Sequence, residues 1–102
     1  MAQNWYNGSD LKFLVEIAGD GFDMDTNDWG VSVAVDGKTL KRYSKEECVR
    51  GDDGWYVCIS KDIMKKFGTV SLVADAGIPD EDFESGIRNE VDSVVVGTYK
   101  KI

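Results

Sequence analysis

A period of two runs through most of the chain. In "LKFLVEI", Leu11, Phe13, Val15 and Ile17 line one face and Lys12 and Glu16 the other, the alternation of a half-buried β-strand. "WGVSVAV" sets Trp29, Val31, Val33 and Val35 against Gly30, Ser32 and Ala34. In "VDGKTLKRY", Asp36-Gly37 falls between two extended runs, and this dipeptide suits a type I′ hairpin turn. "GWYVCIS", "TVSLVADA", "SGIRNEV" and "SVVVGTY" follow. Trp55, Val57 and Ile59 share a face, so Trp29 and Trp55 are expected in the core. About seven short strands at this spacing predict an all-β, immunoglobulin-like antiparallel sandwich.

Two segments depart from the alternation. "SKDIMKKFG" predicts one short helix, with Ser60 as N-cap, Ile63 and Phe67 as apolar anchors four residues apart, and Gly68 at the C-terminal cap. "IPDEDFESGIRNEV" opens with the only proline, Pro79, and carries Asp80, Glu81, Asp82 and Glu84. Proline cannot donate to a strand ladder, so Ile78-Pro79 is expected to leave the strand. Phe83 is expected to turn inward as an anchor, and a new strand to begin after Gly86. Carboxylates crowded into a turn are expected to be hydrated and ionised, whereas acid–base catalysis needs a raised pKa in a pocket.

A length of 102 residues suits one domain spanning the whole chain, with residues 1–8 as an N-terminal extension. Its 42% hydrophobic and 30% charged content belongs to a globular protein rather than a disordered one. No apolar run approaches the roughly 18 residues of a membrane span, and no membrane partner is expected. "MAQNWYNGSDLKF" has neither a basic nor an apolar signal region. The protein is therefore expected to be made and kept in the cytoplasm, unless it leaves within a larger particle. The net charge of −7 and the scattering of Lys and Arg among acids argue against nucleic acid as a partner. Histidine is absent, which removes Ser-His-Asp and Cys-His machinery and His-ligated zinc. Cys48 and Cys58 flank "RGDDGW", but Cys58 points away from the core face, and two free thiols are expected.

Three further stretches invite chemistry. "DGFDMDTND" offers Asp20, Asp23, Asp25, Asn27 and Asp28, an oxygen-rich run like a calcium loop. With Asp23 as the first ligand, the obligatory Gly falls on Asp28 and the closing Glu on Ala34, so the match fails at both diagnostic places. A solvated turn bent by Gly19 and Gly21 is expected instead. Arg50-Gly51-Asp52 is a tripeptide known from integrin ligands, but Gly-Asp-Asp-Gly is ordinary hairpin-loop composition. Trp5 and Tyr6, ahead of "LKFLVEI", are the aromatics expected to be free to contact another molecule. No catalytic residue, metal site or cofactor is expected.

The order "NGSDLKFLVEI", "WGVSVAVDGK", "GWYVCISKDIMKKFGTVSLVAD", "VADAGIPDEDF", "SGIRNEV" and "VVVGTY" resembles immunoglobulin-like domains of bacteriophage and prophage virion proteins. It is similar above all to the N-terminal domain of phage baseplate upper proteins, over roughly residues 9–98. The resemblance implies a non-enzymatic structural module that docks parts of a baseplate or fibre, with other particle proteins as partners. A host-encoded carbohydrate- or ligand-binding sandwich using Trp5, Tyr6 and the acidic loops is the rival reading. Strand edges bear on the choice, because unpaired N–H and C=O groups template pairing with another chain. Leu14 and Val95 place apolar side chains on the supposedly polar faces of terminal strands. Together with Trp5 and Tyr6 they are the candidate interface residues, for a particle protein or for self-association.

Overall fold

The protein is an all-β sandwich, described here over residues 3–102 of a computed structural model. Its strands are β1 (Gln3–Tyr6), β2 (Leu11–Val15), β3 (Trp29–Val35), β4 (Lys38–Ser44), β5 (Val49–Gly51), β6 (Gly54–Ile59), β7 (Gly68–Pro79) and β8 (Ile87–Lys100). One sheet runs β1-β8-β7-β3-β4 and the other β2-β6-β5. The expected alternation is realised directly: Leu11 and Val15 of β2 and Val57 and Ile59 of β6 meet Val31, Val33, Val35, Val70, Leu72 and Ile78 of the larger sheet. Fully burying each such side chain stabilises the fold by about 1.5–3 kcal/mol. No polar or charged residue is fully buried among the described residues.

Local signals hold at the β3–β4 hairpin. Val35 pairs with Lys38, and both turn residues have positive φ, Asp36 at 50° and Gly37 at 80°, the type I′ geometry. Asp36 then serves the next connection, since its carboxylate accepts the Thr69 N–H at 3.0 Å. Gly68 lies against that carboxylate, where a Cβ would come within 2.3 Å of it.

Several expectations are corrected. No helix forms over residues 60–68, which make turns closed by Ile63 N–H to Ser60 C=O and Met64 N–H to Lys61 C=O. A helix this short depends on packed anchors, and the buried residue is Met64; Phe67 remains 43% exposed and stacks on Tyr99 instead. The one helical element among the described residues is a 3-10 turn at Lys45–Glu47, capped by Ser44 and Glu47 in a reciprocal box. Pro79 is the last residue of β7 rather than a departure from it, pairing with Ile87. The two strands expected after Gly86 are a single long one, β8. Phe83 does not turn inward and is 47% exposed. It stands at the tip of a β7–β8 arm that outruns β3, whose pairing with β7 ends at Trp29–Ala76, so no core lies beneath it. The arm helps give the molecule its 50 × 29 × 25 Å outline.

Residues 1–8 are not an extension as a whole. Gln3–Tyr6 form β1, which pairs in parallel with Gly97–Lys100 of β8, a departure from the all-antiparallel expectation. Met1 and Ala2 lie outside the described residues. β1 can approach because position 97 is glycine: a Cβ there would meet the Gln3 carbonyl at 2.3 Å and the Trp5 ring at 2.5 Å.

Trp29 is 2% exposed, donates its indole N–H to the Met24 carbonyl at 2.9 Å and packs edge-on against Trp55 at 5.5 Å. Trp55 itself is half-buried at the margin of the core. Trp29→Ala should lower stability by about 3–5 kcal/mol, measured by denaturant unfolding; a loss under about 1 kcal/mol would contradict the packing described.

Candidate functional site

The larger sheet is wider than the one it packs on, and the surplus is β8. Residues of β7 that enter the core are Val70, Leu72, Ala76 and Ile78. Their neighbours on β8 share their face: Val94 lies opposite Leu72, Glu90 opposite Ala76 and Arg88 opposite Ile78. Val94 is nevertheless 58% exposed. A valine on the inner face of a sandwich that remains open to water marks a place the second sheet does not reach.

The gap is bounded by two edges. β2 is the outer strand of the small sheet, and β8 above Gly97 has no neighbour beyond β7 among the described residues. Next to the stretch that β1 pairs with, β8 carries a bulge, where Ser71 pairs with Val95 and Val70 with Gly97, leaving Val96 unmatched. Between the edges runs a groove of about 220 Å³ lined by Leu14, Val15, Glu16, Leu72, Asp92 and Val94, among others. It continues into a smaller hollow of about 70 Å³ with Ile17, Ala18, Ala74 and Glu90. Its floor is apolar and its rims acidic. Glu90 is bridged by Arg88 at 3.1 Å, while Glu16 and Asp92 take part in none of the ion pairs among the described residues.

The expected interface residues are thus separated. Leu14, 40% exposed, lines the groove, as does Val94. Val95 lies opposite Ser71 on the outer face, with Val91 opposite Asp75 on the same side; they are 62% and 67% exposed. Sequence alternation does not reveal Val91 and Val94 as exposed, because how much of β8 the smaller sheet covers is a tertiary outcome. Trp5 is not free. Its ring packs edge-on against Phe13 at 5.5 Å and over Gly97, because β1 is a paired strand. Tyr6, at the end of β1, is 47% exposed.

The "DGFDMDTND" loop is a solvated turn whose aspartates are exposed, and it is tied to neighbouring segments as well. The Asp25 carboxylate accepts Arg50 Nε at 2.9 Å and Trp55 Nε1 at 2.8 Å, and Lys45 Nζ donates to the carbonyls of Asp25 and Asn27. Asp23 Oδ1 takes the Asp25 N–H and Asn27 Oδ1 the Asp23 N–H. Arg50 of the Arg-Gly-Asp run is therefore committed to this loop. Across the outer face, Arg42 lies over Gly30 to reach Asp75, with Nε to Oδ2 at 3.0 Å. Both cysteines are free, Cys58 exposed and Cys48 half-buried. Among the described residues no three metal-ligating side chains converge, and no helix is long and apolar enough to cross a membrane.

Titration points the same way in each displaced carboxylate. Hydrogen bonds from Arg50 and then Trp55 hold Asp25 below the ordinary aspartate range. The Ser44 N–H and Lys41 do so for Glu47, and the Tyr56 hydroxyl for Asp53. Comparison with protein-family models, with curated proteins and with solved structures returns no match to this chain.

A depressed folded-state pKa means that Asp25 contributes its full share of stability above the ordinary aspartate pKa and loses it as pH falls through the folded value. Asp25→Asn should therefore lower the melting temperature at neutral pH, and the gap to wild type should narrow as the solution is acidified. A gap that stays constant down to the acid limit would show that the carboxylate charge plays no part in holding the loop.

Proposed function

We propose that this chain is a non-enzymatic assembly module, a docking domain of a phage or prophage particle that joins neighbouring baseplate or fibre proteins. The observation that carries the reading is the exposure of Val91, Val94 and Val95 along a strand edge that β1 leaves uncovered. Apolar side chains on an unpaired edge are a liability for a free monomer and an asset for a surface that another protein covers. The strand orders support the resemblance seen in the sequence: β2-β6-β5 against β8-β7-β3-β4 is the B-E-D against G-F-C-C′ order of immunoglobulin-like sandwiches.

The carbohydrate-binding alternative draws no comparable support. Sugar platforms present aromatic faces to solvent, whereas Trp5, Trp29 and Trp55 are each engaged with another ring of the protein.

Affinity capture from cells producing the particle, with the bound proteins identified by mass spectrometry, tests the proposal. Wild-type protein should recover tail or fibre proteins, and Leu14→Lys/Val95→Lys should lose them while keeping its fold. A strong glycan-array signal together with no particle protein recovered would refute the assembly role.

A further inference from the structure

We infer that the groove between β2 and the free part of β8 is a strand-acceptor site for an extended segment of another protein, carrying lysine or arginine among apolar residues. The inference rests on the assembly role proposed above and specifies its binding mode.

Backbone comes first. From Ile87 to Val95 the outward N–H and C=O groups of β8 have no ladder partner among the described residues. An added strand would satisfy them, as β1 does further along, and affinity from main-chain hydrogen bonds is the hallmark of strand addition. The groove residues then dictate side chains. Val94, Leu72, Ala74 and Leu14 offer apolar surface to inward-pointing residues of the incoming strand. Asp92 and Glu90 alternate with Val94 on the same face, and Glu16 faces them from the other rim. A neutral or acidic strand would leave Asp92 and Glu16 desolvated without compensation, Glu90 being bridged by Arg88, whereas basic residues at alternate positions neutralise them.

The same charges argue against a second copy of this chain. In an edge-to-edge antiparallel dimer the two-fold axis must keep each face on its own side. The registers that overlap most of the free edge centre it on Glu90, Val91 or Asp92. They set Glu90 against its own copy with Arg88 against the copy's Asp92 on either side, Glu90 against the copy's Asp92, or Asp92 against its own copy, and the last two have no opposite pair to offset the repulsion. Like charges directly opposite each other destabilise a strand pair, and the net charge of −7 adds to the repulsion.

The probe is a capped peptide, TKVKTLV. Laid parallel to β8 from Asn89 to Val95, it puts lysines against Glu90 and Asp92 and leucine against Val94. Its twin, TEVETLV, has the same apolar residues and opposite charge. Titration into the isotope-labelled full chain should move amide signals of Ile87–Val95 and of β2, with the lysine peptide binding at least about tenfold more tightly than the twin. Raising the salt concentration should weaken the lysine peptide. Glu16→Lys/Asp92→Lys should reverse the preference; should that variant misfold, Asp92→Asn is expected to narrow it. Equal binding of both peptides, or no shift in β8, overturns the proposal, as does sedimentation showing a dimer whose contact maps to β8. If the peptides fail while capture of particle proteins still depends on Leu14 and Val95, the strand-acceptor site is wrong and the assembly role stands.

Discussion

Five strands cannot be covered by three. That mismatch in width governs the surface of the molecule, because the inner face of the wider sheet must either curl, acquire a further strand or stay wet. β1 supplies the further strand only beside Gly97–Lys100, where the absent Cβ lets its backbone approach. Above the bulge at Val96 no further strand covers the sheet among the described residues, and an inward valine, Val94, lies open to solvent. Hydrophobic burial is non-directional, so such an opening favours whatever apolar chain can reach it. The acidic residues along its rims narrow that choice.

Much of the architecture was legible as alternation. β2, β3 and β6 bury the residues that the period of two assigns to the core, and Asp36-Gly37 makes its turn because the positive φ values it needs are local property rather than tertiary consequence. The failures were those in which a long-range partner decided the outcome. Residues 60–68 have a helical spacing, but Met64 is what the core accepts. Phe83 looked like an anchor, yet the arm carries it beyond any core. Trp5 and Tyr6 looked unattached, because nothing near them in sequence reveals a strand partner at the other end of the chain.

Of the candidate site, half was readable. Leu14 and Val95 stood out as apolar residues on polar faces, and both are exposed. The missing half was coverage: Val94 faces inward where the smaller sheet does not reach it, and the bulge at Val96, which reverses facing between Val95 and Gly97, is equally invisible along "SVVVGTY". The ties that hold the solvated acidic loop are hidden in the sequence for a related reason. Asp25 is held by Lys45, Arg50 and Trp55, all from segments distant in sequence, and composition alone cannot distinguish a hydrated carboxylate from one that ties a loop to a sheet.

The parallel pairing of β1 with β8 has a kinetic consequence. Gln3 must wait for Gly97, so β1 is made long before its partner and is seated late. The β3–β4 and β7–β8 hairpins close short loops, whereas β1 closes nearly the whole chain, and the entropy of that closure must be met after the other contacts exist. During synthesis β1 cannot cap the lower end of β8 until Gly97–Lys100 have left the ribosome. The nascent domain therefore passes through a stage in which β1 hangs free, and a competing strand that arrives then finds the entire edge of β8 available to it.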